Sequence, residues 1–243
     1  MKHARFLAMA AVGLAAAAVP CVAQTPALAL LGRVTERARS EGRGVDSYTL
    51  ELGMLGETGT ELVRPGARSP QGVQYATPAT PGATFGAMGT LDALALALHQ
   101  PRWISDHGSI LTYAGVTEES GAPAYVITAV YPLYSPTRDF NAARGFIAHF
   151  DTATLQVRRL ELEFETFSGA VLWMRADYSD FRPVGGLRVP FGRHLAVRGL
   201  GAAWGAAATG DQGDELAIDV RVTSARVNQR PPPGLMLIPR YAP

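Results

Sequence analysis

Histidine and carboxylate side chains are the groups in this sequence that could carry out acid-base chemistry or bind a metal ion. Four histidines follow residue 23, namely His99, His107, His149 and His194. His149 and His194 lie in segments that alternate like β-strands, but neither has an aspartate or glutamate beside it at the spacing of metal ligands. We therefore favour ordinary strand or surface histidines over a metal site.

Two further groups of residues have types that occur in catalytic sites. Residues 105–107, Ser-Asp-His, contain the residue types of a catalytic triad, but triad members converge from distant parts of a chain. Glu161, Glu163 and Glu165 resemble paired catalytic carboxylates, yet they recur at every second residue and so belong to one solvated face. The sequence contains no phosphate-binding glycine loop and no nucleophile elbow. It predicts a protein that is not an enzyme and that uses no cofactor and no metal.

The elements that position these side chains are predicted to be antiparallel strands at residues 145–150, 155–164, 170–178 and 187–198. Leu160, Leu162 and Phe164 alternate with the three glutamates. In the fourth segment Leu187, Val189, Phe191, Leu195 and Val197 alternate with Arg188, His194 and Arg198. Such alternation places apolar side chains on one face of a sheet and charges on the other. The apolar phase shifts near Arg158 and Arg159, which predicts a β-bulge that bends the sheet.

Tight turns are predicted between these strands, at Asp151 through its own side-chain hydrogen bonds and at residues 183–186. An earlier strand at 47–55 carries Tyr48, Leu50, Leu52 and Met54 on one face, and residues 56–59 return it into 60–64. A long loop at 65–89 contains one short strand near 73–76. Strands at 109–115 and 124–131 are joined through 118–121, and a last alternating strand covers 216–222. Both faces of 124–131 are apolar, which predicts a central strand.

Two helices are predicted. The first begins with Thr25 as its cap and Pro26 as its first residue, carries Leu30, Leu31, Val34 and Ala38 on one side, and ends at Gly42 and Gly44. Its apolar side favours packing on the sheet over a moving lid, although the two are compatible. The second helix, at residues 91–99, follows Thr90 and is apolar on nearly all sides, so it is expected to contact apolar surface.

The N-terminus is predicted to be a signal peptide. Lys2 and Arg5 precede an apolar run at residues 6–19, and Ala23 is a small residue before the expected cut, so the signal covers 1–23 and one domain covers 24–243. An uncleaved anchor, for which the apolar run is short, and lipidation of Cys21 are the two disfavoured alternatives. Without Lys2 and Arg5, 20 basic residues remain of the original 22, against 21 acidic ones, which predicts no nucleic-acid binding. Cys21 is the single cysteine, so the secreted domain depends on its core alone.

Residues 178–191, Tyr-Ser-Asp-Phe-Arg-Pro-Val-Gly-Gly-Leu-Arg-Val-Pro-Phe, follow Phe150-Asp151 and a strand of the form Leu-x-Val-x-Arg. This combination resembles the periplasmic lipoprotein-localisation (LolA/LolB-like) superfamily of outer-membrane lipoprotein-sorting proteins. The resemblance covers most of residues 24–243, and it implies an α+β, mostly β fold, a curved antiparallel half-barrel with helices covering the concave face. The family's charged cavity arginine has no single counterpart here, and Arg64 and Arg68 are candidates.

The resemblance implies a periplasmic carrier or binding protein that sequesters lipid or lipoprotein acyl chains in an apolar cleft, with transient membrane contact. The alternative is an envelope-signal sensor or protein-interaction module of the same fold, without bound lipid and with an envelope protein as partner. The predicted ligand-binding residues of the cleft are Tyr48, Leu50, Leu52, Met54, Ile127, Leu160, Leu162, Phe164, Leu172, Met174, Val189 and Phe191. An ordinary core needs the same residue types, so the cleft is inferred from the resemblance.

Overall fold

The computed structural model describes residues 20–54, 57–64, 73–76, 110–119, 121–130, 142–165, 171–199 and 215–230. Within these ranges the chain forms one helix and ten strands. The elements are α1 (Pro20–Glu41), β1 (Tyr48–Met54), β2 (Glu57–Val63), β3 (Val73–Ala76), β4 (Ile110–Glu119), β5 (Ala122–Val130), β6 (Ala142–Asp151), β7 (Val157–Glu165), β8 (Val171–Val184), β9 (Leu187–Arg198) and β10 (Glu215–Val227).

The strands form one antiparallel sheet in the order β3-β2-β1-β10-β9-β8-β7-β6-β5-β4. Strands β4 to β10 are a continuous meander, and β1 to β3 extend it on the far side of β10. Consecutive in sequence, β3 and β4 lie at opposite edges and do not pair with each other within the described residues. The sheet is therefore open, and the predicted α+β, mostly β half-barrel class is confirmed. The second predicted helix, at 91–99, lies outside the described residues.

One face of the sheet, here called the inner face, holds the core. A single row of register partners, Phe146, Leu162, Met174 and Val197, crosses β6 to β9, and all four side chains are buried. The apolar side of α1 belongs to the same cluster through Ala27, Leu30, Leu31 and Val34. The opposite, outer face carries the charged partners of the alternation. The inside and outside predicted for β7, β8 and β9 are thus confirmed.

Two local predictions between β6 and β7 are also confirmed. The register of these strands shifts at His149 and Phe150, which pair with Arg159 and Val157 and leave Arg158 as the extra residue of a bulge. In the turn, the Asp151 carboxylate accepts hydrogen bonds from the backbone N–H of Ala153 at 3.0 Å and of Thr154 at 2.7 Å. The bulge restores the inward orientation of the apolar side chains on both sides of it.

The hairpin between β8 and β9 turns on two glycines. Gly185 and Gly186 have φ values of 58° and 95°, the left-handed region that a two-residue hairpin of this hand requires. A Cβ on Gly185 would lie 2.7 Å from Cγ2 of Val227, so the hairpin packs closely on the end of β10. The turn predicted at residues 183–186 is confirmed, and Gly185 and Gly186 are its two central residues.

Several predicted boundaries were wrong. Helix α1 begins at Pro20 and contains Pro26, so the capping signal at Thr25 does not set its start. Met54 pairs directly with Glu57, and Glu119 pairs with Ala122, so both turns are shorter than residues 56–59 and 118–121. Strand β5 is not central but lies next to the edge strand β4. Its second apolar face is only half-buried. The prediction was wrong because period-two alternation assigns side chains to faces but does not determine where a strand lies in a sheet.

Asn228 fastens the end of β10 to the segment between α1 and β1. Its Oδ1 accepts hydrogen bonds from the N–H of Asp46 at 2.8 Å and of Ser47 at 3.2 Å, and its Nδ2 donates to the carbonyl of Gly44 at 2.7 Å. Its φ of 51° lies in the left-handed region, which asparagine tolerates better than most residues. This side chain therefore fixes residues 44–47, which connect α1 to β1, against the end of β10.

Replacing Asn228 with alanine is expected to lower the free energy of unfolding by about 1 to 3 kcal/mol, because three hydrogen bonds are lost and alanine is strained at this φ. Urea unfolding measures the change. Asn228→Gly is the matched control, since glycine loses the same bonds without the strain and should cost about 1 kcal/mol less than alanine. An alanine variant as stable as the wild type would contradict the role of this contact.

Candidate functional site

The predicted cleft residues share the inner face of the sheet, and most are enclosed. Seven belong to the core cluster: Leu50, Leu52, Ile127, Leu160, Leu162, Met174 and Val189. Tyr48 and Phe191 are partly buried and pack against that cluster, and Leu172 is buried. Met54 and Phe164 lie in β1 and β7, but their side chains lie outside the described part. The structure thus brings most of these residues to one apolar face, and their role as a ligand site stays a prediction.

Helix α1 occupies this face. Its buried side chains join those of the sheet in one cluster, and the helix lies along the edge strand β4 and contacts the start of β9. The buried hydroxyl of Thr35 donates to the carbonyl of Leu31 at 2.8 Å, so its hydrogen bond is made within the helix. The apolar side of α1 therefore fills space between the strands that an acyl chain would need.

The C-terminal end and the middle of α1 are held by different kinds of contact. At the C-terminal end, the Glu41 carboxylate accepts a hydrogen bond from Nε2 of Gln156, in the turn between β6 and β7, at 3.0 Å and pairs with Nε of Arg37 at 2.7 Å. Towards the middle, the guanidinium carbon of Arg33 lies 5.7 Å from the ring centroid of Tyr125 on β5. The C-terminal end is thus fixed by directional polar contacts, whereas Leu30, Leu31 and Val34 are held by apolar packing.

The inner face becomes exposed where β4 and β5 meet. Leu111, near the start of β4, is buried, but Val116 further along the same strand is 58% exposed. A shallow depression of about 430 Å³ at this end is lined by Val116, Thr117, Glu118, Gly121 and Pro123. Val116 pairs with Tyr125, which packs partly against the core cluster. The inner face therefore presents an exposed apolar side chain at this edge.

An ion pair is buried among the apolar side chains of the inner face. Nη1 of Arg193 on β9 donates to Oε2 of Glu61 on β2 at 2.7 Å, and the two side chains are only 6% and 1% exposed. Arg193 lies between Phe191 and Leu195 in its strand and pairs in register with Tyr178 and Val220. Burying charges is costly unless they are paired, so each residue depends on the other.

The contact between Glu61 and Arg193 also shows that the sheet is curved. Val220 beside Arg193 pairs with Met54, and Met54 pairs with Glu57, which places Glu61 three strands away and four residues further along. In a flat sheet the two Cα atoms would be about 20 Å apart, which is beyond the combined reach of both side chains. The inner face is therefore strongly concave across β2, β1, β10 and β9.

Sequence reasoning missed this pair. The alternation in β9 was assigned to its apolar and outward-facing residues, and Arg193 at an inward position was passed over. An arginine at such a position is a signal in itself, because it requires a carboxylate elsewhere on the same face. Two other arginines, Arg64 and Arg68, were predicted as candidates for the cavity arginine. Arg64 is half-buried at the end of β2, and Arg68 lies outside the described residues.

The two strand histidines lie on the outer face but do not meet. His149, Arg159, Asp177 and His194 are successive register partners across β6 to β9, so two strands separate the histidines. No carboxylate stands at metal-ligand spacing beside them in the sequence, but neighbouring strands supply one to each: a Glu119 oxygen is 3.5 Å from Nδ1 of His149, and an Asp219 oxygen is 2.7 Å from Nδ1 of His194. His99 and residues 105–107 lie outside the described residues. Within the described ranges no three His, Cys, Asp or Glu residues form a metal-binding group.

His149 predicts a pH dependence of stability. Burial lowers its pKa below the usual value of about 6.5, although Glu119 and Glu161 raise it. The unfolded chain therefore binds the proton more readily than the folded chain, so stability is complete above pH 6.5 and is lost as the pH falls through the lowered value. Arg159 and Asp177 are the other charges that act on it, and Arg159 lies in the adjacent strand.

Between pH 7.5 and pH 5, we expect the free energy of unfolding of the wild type, measured by urea unfolding, to fall. The contribution of His149 to this slope is at most about 1.4 kcal/mol per pH unit. In His149→Gln the slope should shrink, since glutamine does not titrate. His194→Gln, which changes the exposed histidine of the same face, is the control and should keep it. An equal slope in all three proteins would show that His149 is not the titrating group.

Comparisons with known proteins bear on the fold. No protein-family model matches the sequence, and no curated protein matches it. Solved structures do match. A domain from Vibrio parahaemolyticus described as an outer membrane lipoprotein-sorting protein has a TM-score of 0.44 at 9% identity, over 83% of this chain and 92% of that one. A LolA superfamily protein from Nitrosomonas europaea has a TM-score of 0.39 at 10% identity, over 83% and 94%.

A third solved structure matches over a similar share of the chain. A protein of the DUF1329 family from Desulfovibrio piger has a TM-score of 0.42 at 7% identity, over 82% of this chain and 93% of that one. These neighbours include the superfamily that residues 178–191 resemble, but identities and TM-scores this low bring no function with them. No helix in the described part of the chain combines the length and the apolarity needed to cross a bilayer.

Proposed function

We propose that this chain is a periplasmic carrier or binding protein, rather than an enzyme, that sequesters lipid or lipoprotein acyl chains on the inner face of its sheet. One observation carries the proposal: a concave apolar face spanning most of the sheet is covered, within the described residues, by the apolar side of a single helix. Most of the predicted cleft residues belong to the apolar face that the helix helps to cover. An acyl chain and the apolar side of α1 are chemically alike, so one can replace the other.

The energies of such an exchange are comparable. Each buried methylene contributes about 0.8 kcal/mol and each fully buried leucine or valine about 1.5 to 3 kcal/mol. A long acyl chain therefore offsets the loss of contacts from Leu30, Leu31 and Val34. Glu41 and Gln156 keep the C-terminal end of α1 in place while the N-terminal half moves away from β4, next to the depression at Val116. Helix α1 acts as a lid in this proposal.

Mass spectrometry of an organic extract tests the proposal, with protein purified gently from a periplasmic fraction. Stoichiometric lipid, or binding of an added fluorescent acyl probe to the delipidated protein, is the expected result. Leu30→Ala weakens the apolar packing of the half of α1 that moves and should speed probe uptake severalfold, whereas Glu36→Ala changes an exposed residue of the same helix and should not. No lipid in the extract and no binding of the probe would refute the carrier.

A protein-interaction module of the same fold is the second candidate. Its support is Trp173 on the outer face, whose ring centroid lies 4.5 Å from the guanidinium carbon of Arg198 and 5.6 Å from that of Arg175. Tryptophan and arginine are the residue types most enriched at the centres of protein interfaces. In this case the interior stays filled by α1, the extract contains no lipid, and an envelope protein binds the wild type but not Trp173→Ala.

A further inference from the structure

Two exposed charges border the depression at the end of β4. Glu118 lines it together with Val116 and lies two residues further along the strand, about 7 Å away and on the same face. On the side of the helix, the guanidinium carbon of Arg33 lies 5.7 Å from the ring centroid of Tyr125, which pairs in register with Val116. A positive and a negative side chain therefore flank one opening of the inner face.

Both charged groups are available to a ligand. Arg33 and Glu118 are exposed, and neither forms an ion pair or a side-chain hydrogen bond with another residue in the part of the chain that the structure describes. A guanidinium that lies over an aromatic ring uses its planar face, so its N–H groups at the edge can still donate. Exposed charges are common by themselves, but here the 58% exposed side chain of Val116 belongs to the same opening.

The chemistry of the opening defines the ligand head that it fits. The guanidinium of Arg33 matches a phosphate, whose oxygens accept several N–H groups at once. The carboxylate of Glu118 matches an ammonium group, which donates hydrogen bonds. A phosphoethanolamine head carries both groups, separated by two methylenes. A phosphoglycerol head carries only the negative charge, so it contacts Arg33 but is repelled by Glu118.

We propose that Arg33 and Glu118 bind the head of a zwitterionic phospholipid that carries a phosphate and a primary ammonium group. This inference rests on the proposed function, since the acyl chain of that lipid lies under α1 while its head stays at the opening. Arg33 is on α1 and Glu118 is on the edge strand β4, so the bound head bridges the lid and the sheet. The head therefore holds together the two elements that separate when the chain enters.

Two lysophospholipids with the same oleoyl chain test the selection, one with a phosphoethanolamine head and one with a phosphoglycerol head. Each displaces a fluorescent acyl probe from the delipidated mature protein at neutral pH and low salt, below the concentration at which micelles form. The wild type is expected to bind the phosphoethanolamine lipid about fivefold more tightly, which corresponds to one favourable ion pair between exposed groups. High salt should reduce this preference, because exposed charges are screened.

Three variants separate head recognition from folding. Glu118→Gln removes the charge that repels the anionic head, so it should bind the phosphoglycerol lipid more tightly than the wild type does, a gain that a damaged fold does not produce. Arg33→Gln should weaken the binding of both lipids about fivefold and leave the binding of methyl oleate, which has no charged head, unchanged. Arg39→Gln changes another exposed arginine of the same helix and should keep all three affinities.

The outcomes are distinct. Equal affinities of the wild type for the two lipids, a preference that Glu118→Gln leaves unchanged, or displacement by methyl oleate alone overturns the head site and leaves the carrier function standing. If the fluorescent acyl probe itself does not bind, the carrier function fails as well. Tighter binding of the phosphoglycerol lipid by Glu118→Gln, together with weaker binding of both lipids by Arg33→Gln but not by Arg39→Gln, supports the proposal.

Discussion

Replacing Glu61 with alanine is expected to lower the free energy of unfolding by about 3 to 5 kcal/mol, which is a large part of the stability of a typical domain. The carboxylate is 1% exposed and pairs with Nη1 of Arg193 at 2.7 Å. Without it, the guanidinium stays buried next to Val220 and Tyr178 and loses the carboxylate that pairs with it at 2.7 Å. Urea unfolding monitored by circular dichroism measures the loss, and an unchanged m-value would show that the denatured state is unaffected.

The control for this prediction is an exposed carboxylate of the adjacent strand. Glu51→Ala removes the partner of Arg226 at 3.2 Å, and such a surface pair contributes only about 0 to 1 kcal/mol. The double variant Glu61→Leu/Arg193→Met should recover most of the stability lost in Glu61→Ala, because it removes the buried guanidinium as well. Equal losses in Glu61→Ala and Glu51→Ala would mean that the pair is solvated in the folded protein.

The same pair marks the limit of what could be read from the sequence. Glu61 and Arg193 are 132 residues apart, and they meet only because the sheet curves across four strands. Period-two alternation assigns a side chain to a face but does not measure curvature or strand order. For that reason β5 was placed centrally although it lies next to an edge, and Arg193 was not recognised as an inward charge.

Local patterns were more informative. The change of apolar phase at Arg158 predicted the bulge, and Asp151 predicted its own turn, because both effects act within a few residues. The short strand β3 and the inward side chains of β7 to β9 were predicted for the same reason. The start of α1 was not, because Thr25 and Pro26, which are typical of a helix N-terminus, lie inside the helix. The resemblance in residues 178–191 predicted the open curved sheet, which alternation alone left undetermined.

Leu162→Glu should be the most damaging single change on the inner face. Leu162 is 5% exposed and lies between its register partners Phe146 and Met174, both of which are buried core residues. A glutamate there must bury a carboxyl group without a built partner, at a cost of more than about 4 kcal/mol, so the variant should unfold or lose acyl binding. Leu162→Ala, which only leaves a cavity, should cost about 2 to 5 kcal/mol.

The adjacent residue supplies the matched control. Glu163 is on the outer face, where it pairs with Arg144 at 3.5 Å, and Glu163→Ala should change stability by no more than about 1 kcal/mol. Thermal and urea unfolding of the three variants, followed by probe binding, separates the two faces. A Leu162→Glu protein with wild-type stability and binding would mean that residue 162 does not face the interior. The inner face would then not be apolar at its centre, and the proposed acyl site would lose its basis.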